Sequence, residues 1–413
     1  MVGGEDVSIL VQKFGGTSLS TAEARKHVIK HIKQALAQQY QVVVVVSAMG
    51  RKGEPYATDT LLNLIFEHGN RVSRREKDML LSCGEVISAV TLCSLLNAES
   101  VPATVLNGVQ AGIETDGNYG DARIVTIRPA RIVEELKQGK VVIVTGFQGR
   151  AAVQDEVATL GRGGSDTSAT ALGVALNAER VDIFTDVTGI LTADPRIVEE
   201  AKLLPVVTFA EICNLAHHGA KVIHPRAVEV AMQANLPIRV RSTFSDEAGT
   251  LVTRPEAVRQ HVVDRYVTGI THVPNVTQIQ IAFQEGRYDF HRSVFQAMAH
   301  NQISVDFINV NPSGVVYTVF DDVAELAVQI VRELGYEPKI RSNCAKVAVI
   351  GGGMNGVPGV MARIVEALTE ADVTILQSAD SNTTIWVLVP GDELQRAIRM
   401  LHNKFDLHKM NGE

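Results

Sequence analysis

Residues Val42–Val46 are five consecutive valines. A β-branched run with no polar member suits a strand, and because neighbouring side chains point to opposite faces, this strand must be covered on both sides. Ser8–Phe14, Val101–Leu106, Val141–Thr145 and Val181–Thr185 read as further buried strands. Between them Ala22–Ala37, Lys77–Leu96, Pro129–Lys137 and Asp166–Asn177 carry helical periodicity. A strand at Ile238–Ser242 follows a helix that starts near Arg226. Strand–helix alternation of this kind predicts a mainly parallel sheet covered by helices. The segment Thr250–Asp264, with Pro255 and mixed charges, reads as a connector.

Beyond the connector the chain repeats itself. A shift of seventy residues aligns Val294-Phe295-Gln296-Ala297-Met298 with Ile364-Val365-Glu366-Ala367-Leu368 without a gap. The same register sets Ile303-Ser304-Val305 on Val373-Thr374-Ile375, and Val315, Tyr317 and Val319 on Ile385, Val387 and Val389. Each unit reads as strand, helix, strand, strand, helix, which predicts two small α+β modules. Paired regulatory modules or a duplicated dimerisation scaffold both fit such a repeat.

At 413 residues the chain exceeds one ordinary core, so two or three domains are expected. A net charge of -7 argues against a nucleic-acid-binding surface. The longest unbroken aliphatic run, Val42–Val46, is too short to span a bilayer, and the start MVGGEDVSIL lacks signal-peptide regions. Cys83, Cys93, Cys213 and Cys344 are scattered without a Cys-x-x-Cys pair. These features lead us to expect a reduced, cytoplasmic protein with neither nucleic-acid nor membrane partners and no protein-bound metal.

Several stretches suit anionic ligands. In "QKFGGTSL", Gly15 and Gly16 follow a strand and precede a helix, with Lys13 at the strand end. Ligands of open α/β sheets bind at the carboxyl ends of strands, and glycine lets backbone N–H groups approach them. Ser47 ends the valine strand, and either Thr58 or Asp59 is placed to cap the helix beginning near Thr60. Glu85 sits in an apolar helix beside Cys83, Val86 and Ile87, where a carboxylate wants a cation from a neighbouring Arg or a ligand ammonium. "TLGRGGSDTSATALGVAL" opens a helix near Ser165–Asp166, and exposed N–H groups with the helix dipole favour an anion there. Ser165 and Asp166 also suit plain capping, but Arg162 adds a fork for a carboxylate or phosphate. "IFTDVTGILTADPR" and "HHGAKVIHPRA" contribute turns and charges, and His217, His218 and His224 lack metal-ligand spacing.

Together, "KFGGTS", "VVVVSAMG", "SCGE", "TLGRGGSDTSA", "FTDVTGILTADPR", "GAKVIHPRAVE" and "IRVRST" resemble the aspartate kinases of the amino-acid-kinase superfamily. They fall in family order across residues 8–252, and the repeat resembles the tandem ACT modules of the same enzymes. "SAMGRKGEPYATD" and "LQSADSNTTIWVLV" look closest to the diaminopimelate-sensitive, Bacillus-like type. The resemblance implies an α/β amino-acid-kinase domain over residues 1–252, followed by ferredoxin-like ACT modules at 266–340 and 341–413. It implies transfer of the γ-phosphoryl of ATP, with Mg2+, to the β-carboxylate of L-aspartate. The product, 4-phospho-L-aspartate, begins the route to diaminopimelate, lysine, threonine and methionine. A carboxylate nucleophile is ionised at neutral pH, so positioning and positive charge matter more than a general base.

Carried over by resemblance, Lys13 stabilises the transferring phosphoryl group and Asp166 positions Lys13. Arg162 holds the α-carboxylate of aspartate and Glu85 its ammonium, with Thr58, Gly163, Gly164 and Ser165 completing the cage. Lys13, Phe14, Gly15, Gly16, Ser47, Thr185, Asp186, Leu191, Asp194, Arg196 and Lys221 line the nucleotide site, with Leu191 standing where many relatives have an aromatic residue. The second module keeps Pro358-Gly359 before its helix, whereas "QEGRYDFHR", Gln284–Arg292, has no Pro-Gly. Met354, Asn355, Gly356, Val357, Gln377 and Ser378 are the resulting effector-site candidates. No Met occurs between Met232 and Met298, so a homo-oligomer, dimeric through the ACT modules, is expected rather than a separate regulatory subunit. The competing readings are a kinase for another acidic substrate and an amino-acid sensor with an inactive kinase half. The effector expected is diaminopimelate, lysine, threonine or a combination of them.

Overall fold

The valine run is the body of a strand with a neighbour on each edge. The computed structural model describes residues 7–66, 69, 71–151, 156–220, 222–255, 266–282, 290–354 and 356–409. The chain divides into two units, the first comprising Met1–Ile190, Leu203–Ala216 and Lys221–Val262, and the second Leu191–Lys202, His217–Ala220 and Val263–Glu413.

The first unit opens with β1 (Ile9–Phe14), α1 (Gly16–Leu19), α2 (Ala22–Ala37), β2 (Gln41–Val46), α3 (Thr58–Phe66), α4 (Arg74–Ala98) and β3 (Ala103–Leu106). It continues with β4 (Ile113–Thr115), β5 (Ile124–Ile127), α5 (Ala130–Lys137), β6 (Val141–Thr145), β7 (Gln148–Ala151) and β8 (Glu156–Thr159). Then come α6 (Gly164–Ala175), β9 (Arg180–Thr185), β10 (Val206–Thr208), α7 (Phe209–His217), α8 (Pro225–Ala234), β11 (Ile238–Ser242) and β12 (Thr250–Thr253).

Eight strands form the main sheet in the order β10-β12-β11-β9-β1-β2-β6-β3. Its pairings are parallel except β11 with β12. Every valine from Val42 to Val46 is buried, as a central strand under two helical layers requires. The register sets Phe14 against Val46 and Phe184, and Val46 against Thr145, so β1, β2, β6 and β9 end at one edge of the sheet. A separate four-stranded sheet, β5-β4-β7-β8, escapes the sequence reading because its strands have only three or four residues. The connector reading also needs correction, since Thr250–Thr253 is β12, with Thr250 and Val252 buried and paired to β10 and β11. The rest of that segment from residue 256 lies outside the described residues.

By length and composition α4 is apolar enough to cross a membrane. It serves instead as a core helix, with Ala89, Leu92 and Leu96 packed beside Val42, Val44 and Val46, and with Asp78 and Glu85 buried along it.

The second unit contains the repeat. Its first copy is β13 (Gly269–Ala282), α9 (Phe290–His300), β14 (Asp306–Asn311), β15 (Gly314–Phe320) and α10 (Asp321–Glu333). The second copy is β16 (Lys339–Ile350), α11 (Val360–Glu370), β17 (Gln377–Asp380), β18 (Thr384–Pro390) and α12 (Leu394–Lys404). The aligned positions play the same part in each: Val294 and Met298 are buried on α9 as Ile364 and Leu368 are on α11. All six strands join one sheet in the order β14-β15-β13-β16-β18-β17. The long strands β13 and β16 run antiparallel, Gly269–Val273 facing Lys346–Ile350 and Val276–Gln280 facing Lys339–Cys344. Ile270 belongs to the core of Val347, Ile364 and Leu401, whereas Ile279 belongs to that of Val294, Tyr317 and Val331. The long strand β13 therefore serves both cores, whereas β16 sends Ala345, Val347 and Val349 into the second, and residues 340–341 lie inside β16. Residues 283–289, most of the stretch lacking Pro-Gly, lie outside the described residues.

Candidate active site

The shared edge of β1 and β2 borders a cavity of about 480 Å3 in the first unit. Lys13, Gly16, Ser47, Thr58, Glu85 and the whole run Arg162–Asp166 line it, together with Ala48, Gly50, Gly120, Phe147 and Gly161. Residues separated by as many as 153 positions in sequence, from Lys13 to Asp166, thus meet at one place.

Lys13, at the end of β1, forms an ion pair with Asp166 on the first turn of α6, Nζ to Oδ1 at 2.6 Å. Their side chains are 12% and 13% exposed, so the pair is shielded yet open to the cavity. The other carboxylate oxygen accepts the backbone N–H of His224 at 3.3 Å. Gly163 caps α6 with φ 68, in the left-handed region where glycine carries no Cβ penalty, and a Cβ there would stand 2.1 Å from the His224 ring. Among the described residues no side chain caps α6, and while the Gly164 N–H meets the Gly161 carbonyl at 3.1 Å, the helix dipole and the N–H groups of Ser165 and Asp166 are available to an anion. That finding removes plain capping as the role of Ser165 and Asp166.

Glu85 is 2% exposed. Its Oε1 accepts the N–H of Ala48 at 3.0 Å, which holds the end of β2 to α4. Gly84 makes that approach possible, because a Cβ there would lie 2.7 Å from the Ala48 Cβ and 3.2 Å from the Tyr56 carbonyl. Among the described residues Oε2 has no partner. Burial accordingly pushes the Glu85 carboxyl up to about 8, against the pull of its backbone hydrogen bonds. Arg162 is exposed on the cavity wall, and among the described residues no carboxylate pairs with it. The cavity therefore offers a buried acid short of a cation and a guanidinium short of an anion. Phe147, which also lines it, holds a left-handed backbone at φ 69, with its N–H on Ser168 Oγ at 3.1 Å.

The remaining expected residues are placed differently. Phe14 is fully buried and stacks on Phe184 at 4.6 Å between centroids, so only its backbone faces the sheet edge, accepting the Ser47 N–H. Thr185 ends β9 and donates to Asp186 at 3.1 Å, and Asp186 pairs with Arg51. Leu191, Asp194 and Arg196 belong to the second unit, where Arg196 forks onto Asp194 and lowers its carboxyl below the usual range. Lys221 lies outside the described residues, as does Asn355. Of the other effector candidates, Met354 is buried in the core of Ile364 and Val387, while Gly356, Val357 and Ser378 are exposed. Gln377 donates to the Phe307 carbonyl at 2.5 Å and accepts from Gln278 at 2.9 Å.

Sequence reasoning missed Asp78 and Arg226. Asp78 is 1% exposed and Arg226 half-buried, and both bind the backbone that carries Arg162. The available signal was spacing, since Asp78 precedes Glu85 by two helical turns and so shares its face.

Residues 8–242 match the amino acid kinase family, and residues 339–403 match an ACT domain. Aspartokinase 1 of Bacillus subtilis strain 168 is 53% identical over 405 residues, spanning 98% of this chain and 100% of that protein. The crystal structure of E. coli aspartokinase III in complex with aspartate and ADP (R-state) has a TM-score of 0.76 at 26% identity, over 96% of this chain and 99% of that one. The structure of the same enzyme in complex with lysine and aspartate (T-state) has a TM-score of 0.74 at 26% identity, with the same coverage of both chains. The chain belongs to the amino acid kinase family, with an ACT-type fold after the kinase domain. Within that family it is an aspartate kinase, as its motifs led us to expect.

Proposed function

We propose that this cavity holds L-aspartate while the γ-phosphoryl group of MgATP passes to its β-carboxylate, giving 4-phospho-L-aspartate. The observation that carries the reading is the unpaired, buried Oε2 of Glu85 in the same cavity as the Lys13–Asp166 pair. An ammonium is the ligand group that such an oxygen lacks. In this reading Glu85 takes the α-ammonium, Arg162 the α-carboxylate, and Thr58, Gly163, Gly164 and Ser165 close round the carbon skeleton. The β-carboxylate is then directed to Lys13 and the N-terminus of α6. Lys13 spreads its charge over the phosphoryl oxygens as negative charge is brought up to negative charge. Asp166 fixes where that ammonium points. Gly15 and Gly16 contribute backbone donors, while Ser47, Thr185 and Asp186 border the nucleotide. Magnesium enters with ATP as part of the substrate. No proton need leave the nucleophile, because a carboxylate with an ordinary pKa of about 4 is ionised at pH 7.

We further propose a catalytic domain over 1–252, ACT modules over 266–340 and 341–413, and cytoplasmic work at the head of the route to diaminopimelate, lysine, threonine and methionine. The complex of E. coli aspartokinase III with lysine and aspartate supports control by a small amino acid, which we assign to the ACT fold, with residues 354–357, Gln377 and Ser378 as candidates. Homodimerisation through the same fold is supported by the edge strand β14, where Ile308 and Val310 are about half exposed. Incubating the protein with MgATP and single amino acids, and trapping acyl phosphate with hydroxylamine, tests the chemistry. Hydroxamate is expected from aspartate and not from glutamate, and the reverse would sink the substrate reading. Titrating the same assay with lysine, threonine and diaminopimelate identifies the effector.

A further inference from the structure

Asp78, on α4, is a buried acid that the proposed reaction does not use. Its Oδ2 accepts the backbone N–H of Gly120 at 2.9 Å and that of Thr159 at 2.7 Å, and its Oδ1 accepts the Thr159 hydroxyl at 2.9 Å. No cation among the described residues pairs with it, and burial raises its pKa against those three bonds. A buried carboxyl with no cation beside it is costly as scaffolding alone.

The opposite charge grips the same backbone from α8. Arg226 donates one guanidinium nitrogen to the Leu160 carbonyl and the other to the Ala122 carbonyl, both at 2.9 Å. Between the two side chains the Ala122 N–H meets the Thr159 carbonyl at 2.9 Å. The acid thus takes two backbone N–H groups and the base takes two carbonyls of one pair of segments. From that frame projects Gly161-Arg162-Gly163, with Gly161 packed so closely that a Cβ would reach Asp121 Oδ1 at 2.7 Å. Seven residues along the same face of α4 stands Glu85, about 10 Å further up the helix axis.

We propose that Asp78 and Arg226 are positioning residues that clamp residues 120–122 and 159–161 from two sides and so set the place of Arg162 for the substrate's α-carboxylate. The clamp rests on the reading of Arg162 given above. It makes α4 the ruler for recognising an α-amino acid: the middle of the helix supplies the ammonium site, and its N-terminal part sets the carboxylate site. Lysine at 226 would meet only one of the two carbonyls, because an ammonium lacks the planar fork.

The test is steady-state kinetics of the full-length enzyme carrying Asp78→Asn, Arg162→Ala, both together, or Arg226→Lys. The inhibition constant of 3-aminopropanoate, which is aspartate without its α-carboxylate, is measured alongside. Asp78→Asn and Arg162→Ala should each raise KM for aspartate about tenfold or more, with kcat and KM for ATP within about threefold. Asp78→Asn should leave 3-aminopropanoate inhibition unchanged, and the double variant should be no worse than Arg162→Ala alone. Arg226→Lys should follow Asp78→Asn. An unaltered KM for aspartate in Arg162→Ala overturns the reading of Arg162 itself. If Arg162→Ala has its effect, the clamp is overturned by a normal Asp78→Asn, by additive losses in the double variant, or by equal loss of 3-aminopropanoate. Should Asp78→Asn fail to fold, Thr159→Val removes the hydroxyl bond alone. A rise in KM for aspartate of about threefold, restored by Thr159→Ser, then supports the clamp, and an unchanged KM overturns it.

Discussion

Burial holds the Glu85 carboxyl at about 8 instead of its ordinary 4.5, so the folded, ligand-free protein prefers it protonated. The sign of the stability effect follows. Folding loses stability as pH rises above the ordinary carboxylate range, and the loss is complete above about 8. Glu85→Gln removes that loss. Its stability should match the parent at pH 5 and exceed it at pH 8 by an amount on the order of a few kcal/mol, read as a higher melting temperature at pH 8 only. The same substitution should raise KM for aspartate on the order of 100-fold, because a neutral amide offers the ammonium a hydrogen bond but no opposite charge. In the parent enzyme KM for aspartate should fall as pH rises from 6 to 8, and calorimetry in buffers of different ionisation enthalpy should detect proton release on binding. A pH-independent KM would detach Glu85 from the ammonium. Lys13→Ala is the complementary case: it should cut kcat by about a thousandfold or more while circular dichroism stays unchanged. Near-normal turnover would remove that lysine from the chemistry.

At the scale of elements, the approach of α4 to the end of β2 decides whether Glu85 lines the cavity at all. Gly84→Ala puts a methyl group 2.7 Å from the Ala48 Cβ, which forces the helix and the turn apart. We expect a loss of about 1–3 kcal/mol in stability and a KM for aspartate raised at least tenfold. Denaturant titration and kinetics check the two halves separately. Elements with strong periodicity were legible in the sequence: Ala22–Ala37, Val141–Thr145 and Ile238–Ser242 match α2, β6 and β11 residue for residue. The elements that were not legible have physical reasons for it. The strands β4, β5, β7 and β8 are too short for a period to register, and β12 lies among Gly249, Thr250 and Pro255, which read as loop. Glu85 was legible as an acid on an apolar helix face. Asp78 was legible only as a second acid on that face and not in its role, because its partners are backbone groups near residues 120 and 159, and backbone contacts leave no mark in side-chain identity.

At the scale of the molecule, neither unit is one continuous stretch of chain. Residues 191–202 are grouped with the C-terminal unit, and Ala193, Ile197 and Val198 are buried in the core of Val347, Ile364 and Leu401. A fragment ending at residue 252 therefore carries those apolar side chains without their packing partners. It should melt below the full-length protein and bind the dye ANS, which reports exposed apolar surface. An equally stable fragment that binds no dye would show that the segment repacks by itself. The seventy-residue repeat announced two modules, but not that β13 pairs with β16 and serves both cores, since pairing across the repeat is a property of the sheet. The proposed reaction turns on the orientation of aspartate between Glu85, Arg162 and Lys13. A crystal structure of the full-length protein with L-aspartate and MgADP measures it directly. The α-ammonium is expected about 3 Å from Glu85 Oε2, the α-carboxylate on Arg162 and the β-carboxylate facing Lys13. A reversed substrate, with its β-carboxylate on Arg162 and its α-carboxylate facing Lys13, would contradict it.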